Sequence, residues 1–149
     1  MIIGQVHTGI TVSDLERSIA FYRDILGMTL VKRERKRSTR GEKLGVPGAV
    51  IEIAVMEYGD GCSVELINYE HPAPPNERGL PVNAIGHVHI AFNVDNIAAA
   101  IEEMQAKGVE FIGGPEQCVI EEGPLAGWKW IYFKDPDGTN LEFIEGELG

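Results

Sequence analysis

Apolar and polar residues follow one pattern twice along the chain. Residues 6–15 read V-H-T-G-I-T-V-S-D-L, and residues 88–97 read V-H-I-A-F-N-V-D-N-I. Each copy is a Val-His pair, a strand-like stretch ending in Val and a polar break. A helical pattern follows each break. In the first copy Leu15, Ile19, Tyr22 and Leu26 recur at helical spacing. Ser13 is the expected N-cap there, with Glu16 completing a capping box. Gly27 is placed to end the helix. In the second copy Ile97, Ile101 and Met104 recur, and Gly108 supplies the stop. Three strand-like runs follow each helix: 28–33, 50–58 and 63–69 in the first copy, 109–112, 129–133 and 140–144 in the second. The last runs match, V-E-L-I at 64–67 and L-E-F-I at 141–144. Turn signals, Asp60-Gly61 and Asp137-Gly138, precede them.

The pattern predicts an α+β fold of two tandem βαβββ modules, module 1 at 4–70 and module 2 at 86–146. A Pro-rich linker, 71–85, joins them, and residues 71–81 hold four of the eight prolines. A module of about 60–70 residues is marginal on its own. Pairing of modules, within a chain or between two chains, is therefore expected.

Strand side chains alternate between faces. Val6, Thr8, Ile10 and Val12 share one face of the first strand, and His7, Gly9 and Thr11 the other. In the second copy Val88, Ile90, Phe92 and Val94 oppose His87, His89, Ala91 and Asn93. The bulky set is expected beneath the helix, with the histidines on the open face. Glu65 opposes Val64 and Leu66, and Glu142 opposes Leu141 and Phe143. Each module thus offers one His from its first strand and one Glu from its last. An ionised Glu among apolar strand neighbours is costly unless paired or bound to a metal. Two His and two Glu suit zinc, manganese, iron, cobalt or nickel, and leave two positions of an octahedral shell for water or substrate. A carboxylate near such a metal can act as a base. Glu52, mid-strand and opposite in parity to Ile51, Ile53 and Val55, is a second candidate base; an edge-strand charge is its plain alternative.

Composition narrows the function. Hydrophobic residues are 44% and charged residues 24%, as in ordinary globular proteins. The net charge of −10 argues against nucleic acid or an anionic membrane as partner. No apolar run approaches the roughly 20 residues that span a bilayer. No signal-peptide pattern opens the chain, and Cys62 and Cys118 make no disulfide framework, so a cytoplasmic protein is expected. The run K-R-E-R-K-R-S-T-R at 32–40 is the one basic patch. It reads as a solvated strand end and loop, or as a lid that draws in an anionic substrate through Arg37 and Arg40. Residues 41–49 continue that loop towards the mouth of the site. Trp128, Trp130, Tyr132 and Phe133 read as core and pocket wall.

The chain resembles the vicinal oxygen chelate superfamily, which includes glyoxalase I, methylmalonyl-CoA epimerase, extradiol dioxygenases and antibiotic-resistance proteins. The resemblance lies in H-T-G-I-T-V-S-D-L-E-R-S-I-A-F-Y-R-D-I-L-G-M at 7–28, V-E-L-I at 64–67, G-H-V-H-I-A-F-N-V at 86–94 and D-P-D-G-T-N-L-E-F-I at 135–144. It implies curved mixed sheets, a homodimer and a small-molecule substrate. Carried over by position, it implies the metal ligands His7, Glu65, His89 and Glu142, with Glu142 also the base. His87 is the rival ligand; the family pattern favours His89, which directly precedes I-A-F-N-V. Thr11 and Tyr69 fall at substrate-contacting positions. Glyoxalase I usually carries Arg and Asn there, which weighs against a glutathione hemithioacetal. The resemblance thus implies a glyoxalase I-like or epimerase-like lyase or isomerase. An iron-dependent ring-cleaving dioxygenase is the alternative, weakened by the fourth ligand. A metal-free binding or antibiotic-resistance protein is a further one.

Overall fold

The computed structural model describes residues 1–37, 44–59, 61–75, 79–114 and 119–146. Asp60, Arg40 and Cys118 lie outside these, and so does the side chain of Arg37. The chain divides into two compact units, Met1–Glu77 and Arg78–Gly149.

Unit 1 runs β1 (Thr8–Thr11), α1 (Leu15–Ala20), β2 (Thr29–Arg37), β3 (Val50–Tyr58) and β4 (Cys62–His71). Its sheet order is β1-β4-β3-β2, with β1 parallel to β4 and the other pairs antiparallel. The helix begins at Asp14 rather than Ser13. The Asp14 carboxylate accepts from the Arg17 backbone N–H at 3.0 Å, the usual bond of a cap to the third residue on. After Ala20 the backbone widens into a π-helical turn, Phe21–Ile25, and Gly27 follows at φ 73°. Leu15, Ile19 and Tyr22 are buried. Ile10, Val12, Ala54, Met56, Val64 and Leu66, all buried, form the sheet face that belongs with them. Asn68 ties β4 to the end of β1 by donating to the carbonyls of Val12 and Ser13 at 3.0 and 3.1 Å.

The opposite face of this sheet is apolar as well. Ile51 and Ile53 are buried there with Ala49, and Val46, Ile67 and Tyr69 pack against them. Strand β2 extends through the basic run to Arg37, because its charges are paired on both faces. Arg33 reaches Glu52 at 2.7 Å and Glu16 at 2.6 Å, and Arg35 holds Glu70 at 2.5 Å. Lys32 and Lys36 flank Glu34 at 3.3 and 2.7 Å.

Unit 2 repeats the order: β5 (His89–Asn93), α2 (Ile97–Ala106), β6 (Phe111–Ile112), β7 (Lys129–Lys134) and β8 (Asn140–Glu145). The sheet order is β5-β8-β7-β6, with β5 parallel to β8. Ile97, Ile101 and Met104 on α2 are buried, as are Ile131, Phe133, Leu141 and Phe143. Asn96 caps α2 through the Ala99 backbone N–H at 3.0 Å, a contact worth about 1 kcal/mol. The Asp135 carboxylate accepts from the backbone N–H of Asp137 and Thr139 at 3.0 and 2.8 Å. Gly138 then turns at φ 90°, where a side chain would be strained.

Val6 and Val88, expected beneath the helices, are 81% and 66% exposed. Each precedes its strand, and the parallel partner β4 or β8 has no residue paired with it.

Glu145 joins three elements of unit 2. Its carboxylate accepts from the Ile97 backbone N–H at 2.7 Å and from Lys129 Nζ at 2.5 Å. Lys129, then the Ile97 bond, holds its pKa below the ordinary 4.5. A depressed carboxylate stabilises the fold above its unfolded pKa, and that stabilisation is lost as pH falls through the folded value. Glu145→Gln is therefore expected to lower the melting temperature at neutral pH. The gap to the parent should close as the solution is acidified below 4.5; a gap independent of pH would refute the assignment.

Candidate metal-binding and catalytic site

The first and last strands of each unit run side by side, and this brings a histidine to a glutamate twice. In unit 1 Gly9 pairs with Glu65, so His7, just before β1, stands on the face of Glu65. His7 Nε2 lies 3.7 Å from Glu65 Oε1. In unit 2 Ala91 pairs with Glu142. His89 Nε2 lies 2.9 Å from Glu142 Oε2. Glu142 is only 7% exposed. Burial pushes its pKa above the usual carboxylate range, against the opposing pull of His89. Within each unit, no three His, Cys, Asp or Glu among the described residues gather into a cluster. Each unit holds one such pair.

The flanks of the two pairs differ. Tyr132 sits across from Glu142 in the β7–β8 register, edge-on to the His89 ring at 5.3 Å. Burial first, and Glu142 second, raise the Tyr132 pKa and keep its phenol protonated. Trp130 shares this face and meets Tyr132 edge-on at 5.2 Å. Phe133 points the other way, into the core. Beside Glu65 the neighbours across the sheet are Val55 and then Lys32. Glu34 and Lys36 continue the Lys32 face of β2.

The remaining sequence candidates fall at different distances from these pairs. Thr11 shares the Glu65 face and is exposed. Tyr69 shares it too, with its ring packed on the Ile51–Ile53 cluster. Glu52 does not: it pairs with Asn68 on the opposite face and binds Arg33 at 2.7 Å. It is therefore a structural ion-pair partner on the helix side. Arg37 ends β2, and Arg40 is outside the described residues. His87, the rival to His89, has its Nε2 2.6 Å from Asn140 Nδ2. Asn140 went unnoticed in the sequence. Its signal is parity, two residues before Glu142 on the same strand.

Comparisons with known proteins agree with this architecture. The family description Glyoxalase/Bleomycin resistance protein/Dioxygenase superfamily matches residues 4–143. The chain belongs to that superfamily. It is 35% identical over 150 residues to a 2-epi-5-epi-valiolone epimerase from an Actinomyces species, covering 96% of this chain and 79% of the relative. It is 34% identical over 146 residues to the lactoylglutathione lyase of Haemophilus influenzae, covering 95% and 92%. Among solved structures, a glyoxalase family protein from Bacillus cereus superposes with a TM-score of 0.84 at 26% identity, over 100% and 97% of the two chains.

Proposed function

We propose that this protein is a divalent-metal-dependent lyase or isomerase that moves a proton beside the carbonyl of a small, oxygen-rich substrate. The observation that carries the reading is the duplicated His–Glu pair, with Glu142 buried against His89 at 2.9 Å. The donors fit a metal: imidazole nitrogen and carboxylate oxygen suit zinc, manganese, iron, cobalt or nickel. A buried carboxylate with raised proton affinity is also the group that such a cation would relieve. His7 with Glu65, and His89 with Glu142, are the residues that would hold the ion. When bound, the metal supplies Lewis-acid stabilisation of negative charge on the substrate oxygens.

The protein's own residues do the rest. Glu142 accepts the proton as the C–H bond beside the carbonyl breaks, and the electron pair moves onto the carbonyl oxygen. Glu142 then returns the proton to the adjoining atom. Tyr132 and Trp130 wall one side against water. Thr11 and Tyr69 line the Glu65 face for substrate. A relative named as an epimerase and another named as a lyase support this reaction class.

Elemental analysis of untagged protein purified without chelator tests the reading. The expected result is about one zinc, manganese, cobalt or nickel per chain. Iron at that ratio, with oxygen uptake on catechols, would replace the proposal with a ring-cleaving dioxygenase. No metal, and none taken up on re-addition, would leave a metal-free binding protein.

A further inference from the structure

Two histidines, His87 and His89, alternate onto one side of the chain entering β5, and an open metal site would accept either ring. We propose that Asn140 is a positioning residue that selects His89 as the ligand by holding His87 Nε2 in a hydrogen bond. The inference rests on the metal-site reading above.

Asn140 opens β8, two residues before Glu142 and on the same face, and it pairs in register with His89. Its side chain is fully buried. The Nδ2 amide donates to His87 Nε2 at 2.6 Å. Asn140 Oδ1 has no hydrogen-bond partner among the described residues. A buried amide with one half unsatisfied is costly to keep. Among the described residues its side chain hydrogen-bonds to His87, so capture of that ring is what the amide accomplishes. A nitrogen that accepts this bond has its lone pair occupied and its ring turned towards Asn140. The other nitrogen of His87 then carries the proton. His89, by contrast, directs its Nε2 to Glu142.

The repeat within the chain provides an internal control. The residues of unit 1 that correspond to His87 and Asn140 are Gln5 and Ser63. Gln5 donates to Thr8 Oγ1 at 3.0 Å, and Ser63 Oγ to Glu57 Oε1 at 3.4 Å. Unit 1 has no second histidine before β1, and it has no buried asparagine at the matching place. The restraint exists only where a rival ligand exists.

Cobalt(II) titration of the full-length protein, followed by visible absorption, tests this without reference to activity. His87→Ala should bind cobalt like the parent. His89→Ala should weaken binding on the order of tenfold or more. Adding Asn140→Leu to His89→Ala should release His87 and restore much of the affinity. Adding His87→Ala to that pair should abolish the gain. The proposal is overturned if the double variant, folded by circular dichroism, binds no better than His89→Ala. It is equally overturned if His87→Ala alone weakens binding as much as His89→Ala. Nitrogen-15 NMR of the metal-free parent provides a check that needs no Asn140 variant. His87 should hold its proton on Nδ1 with Nε2 hydrogen-bonded, and an imidazole averaging freely between tautomers would refute the capture. If His89→Ala and Glu142→Gln both bind cobalt as the parent does, the metal site itself is misassigned, a result distinct from failure of the selection.

Discussion

Glu142→Gln is expected to cut turnover by about 100-fold or more and to strip metal from the purified protein, with little change in the folded spectrum. Glutamine keeps the shape of the side chain and can still hydrogen-bond to His89, so the 2.9 Å contact has a neutral substitute. What it removes is the negative charge and the proton acceptor. The position is 7% exposed on a strand flanked by β5 and β7, so water cannot readily replace the lost oxygen. Glu52→Gln is the matched control. It lies on the opposite face in an ion pair with Arg33, and it should leave turnover within about twofold while costing at most ~1 kcal/mol of stability. Equal loss in both variants would mean that neither glutamate is specific to the chemistry. Full activity in Glu142→Gln would remove it from the mechanism.

Phe133→Ala should lower the unfolding free energy by about 3–5 kcal/mol, the largest stability effect of any substitution considered. Its ring is fully buried, 4.6 Å from Phe143 and 5.4 Å from Phe111 between ring centroids. Truncation removes both aromatic contacts and leaves a void that β7, hydrogen-bonded on both edges, cannot collapse to fill. A whole domain is stable by only about 5–15 kcal/mol, so unit 2 would be left near its limit. Trp130→Ala, on the other face and 37% exposed, should cost much less. Denaturant titration gives the comparison; equal midpoints for the two variants would contradict this account of the core.

The tandem βαβββ order was legible because both halves carry the same punctuation: a polar break before each helix, a glycine after it and an Asp-Gly turn before each last strand. That His7 stands beside Glu65, and His89 beside Glu142, was legible from the alternation of side chains along the chain. Parity failed for Glu52, for a physical reason. Alternation reports that Glu52 and Ile51 face opposite ways, but not which way is the core. Unit 1 buries apolar side chains on both faces, Ala54 and Met56 on the helix side, Ile51 and Ile53 beneath Val46 and Ala49. The sequence offers no means of ranking two apolar faces. The extension of β2 to Arg37 was hidden similarly. A run of charge reads as solvated loop until its partners, Glu16, Glu52 and Glu70, are brought alongside from elsewhere in the chain. The cap at Asp14 lay one residue from the expected Ser13, within the usual uncertainty of helix ends.

The parallel pairing of first and last strands has a consequence for the order in which the units assemble and loosen. Thr8 meets Val64, and His89 meets Asn140. Each contact closes a loop of roughly fifty residues, an entropic toll that local hairpins such as β3–β4 do not face. These short edge strands are therefore expected to dock late and to open early in native fluctuations, which hydrogen exchange would detect. His7 and His89 travel with them, while Glu65 and Glu142 stay with strands paired on both edges. A ligand gripping a histidine and its glutamate together acts as a clasp across the seam between an edge strand and its inner neighbour. Saturating such a clasp is expected to slow amide exchange in β1 and β5 before it changes anything in the core.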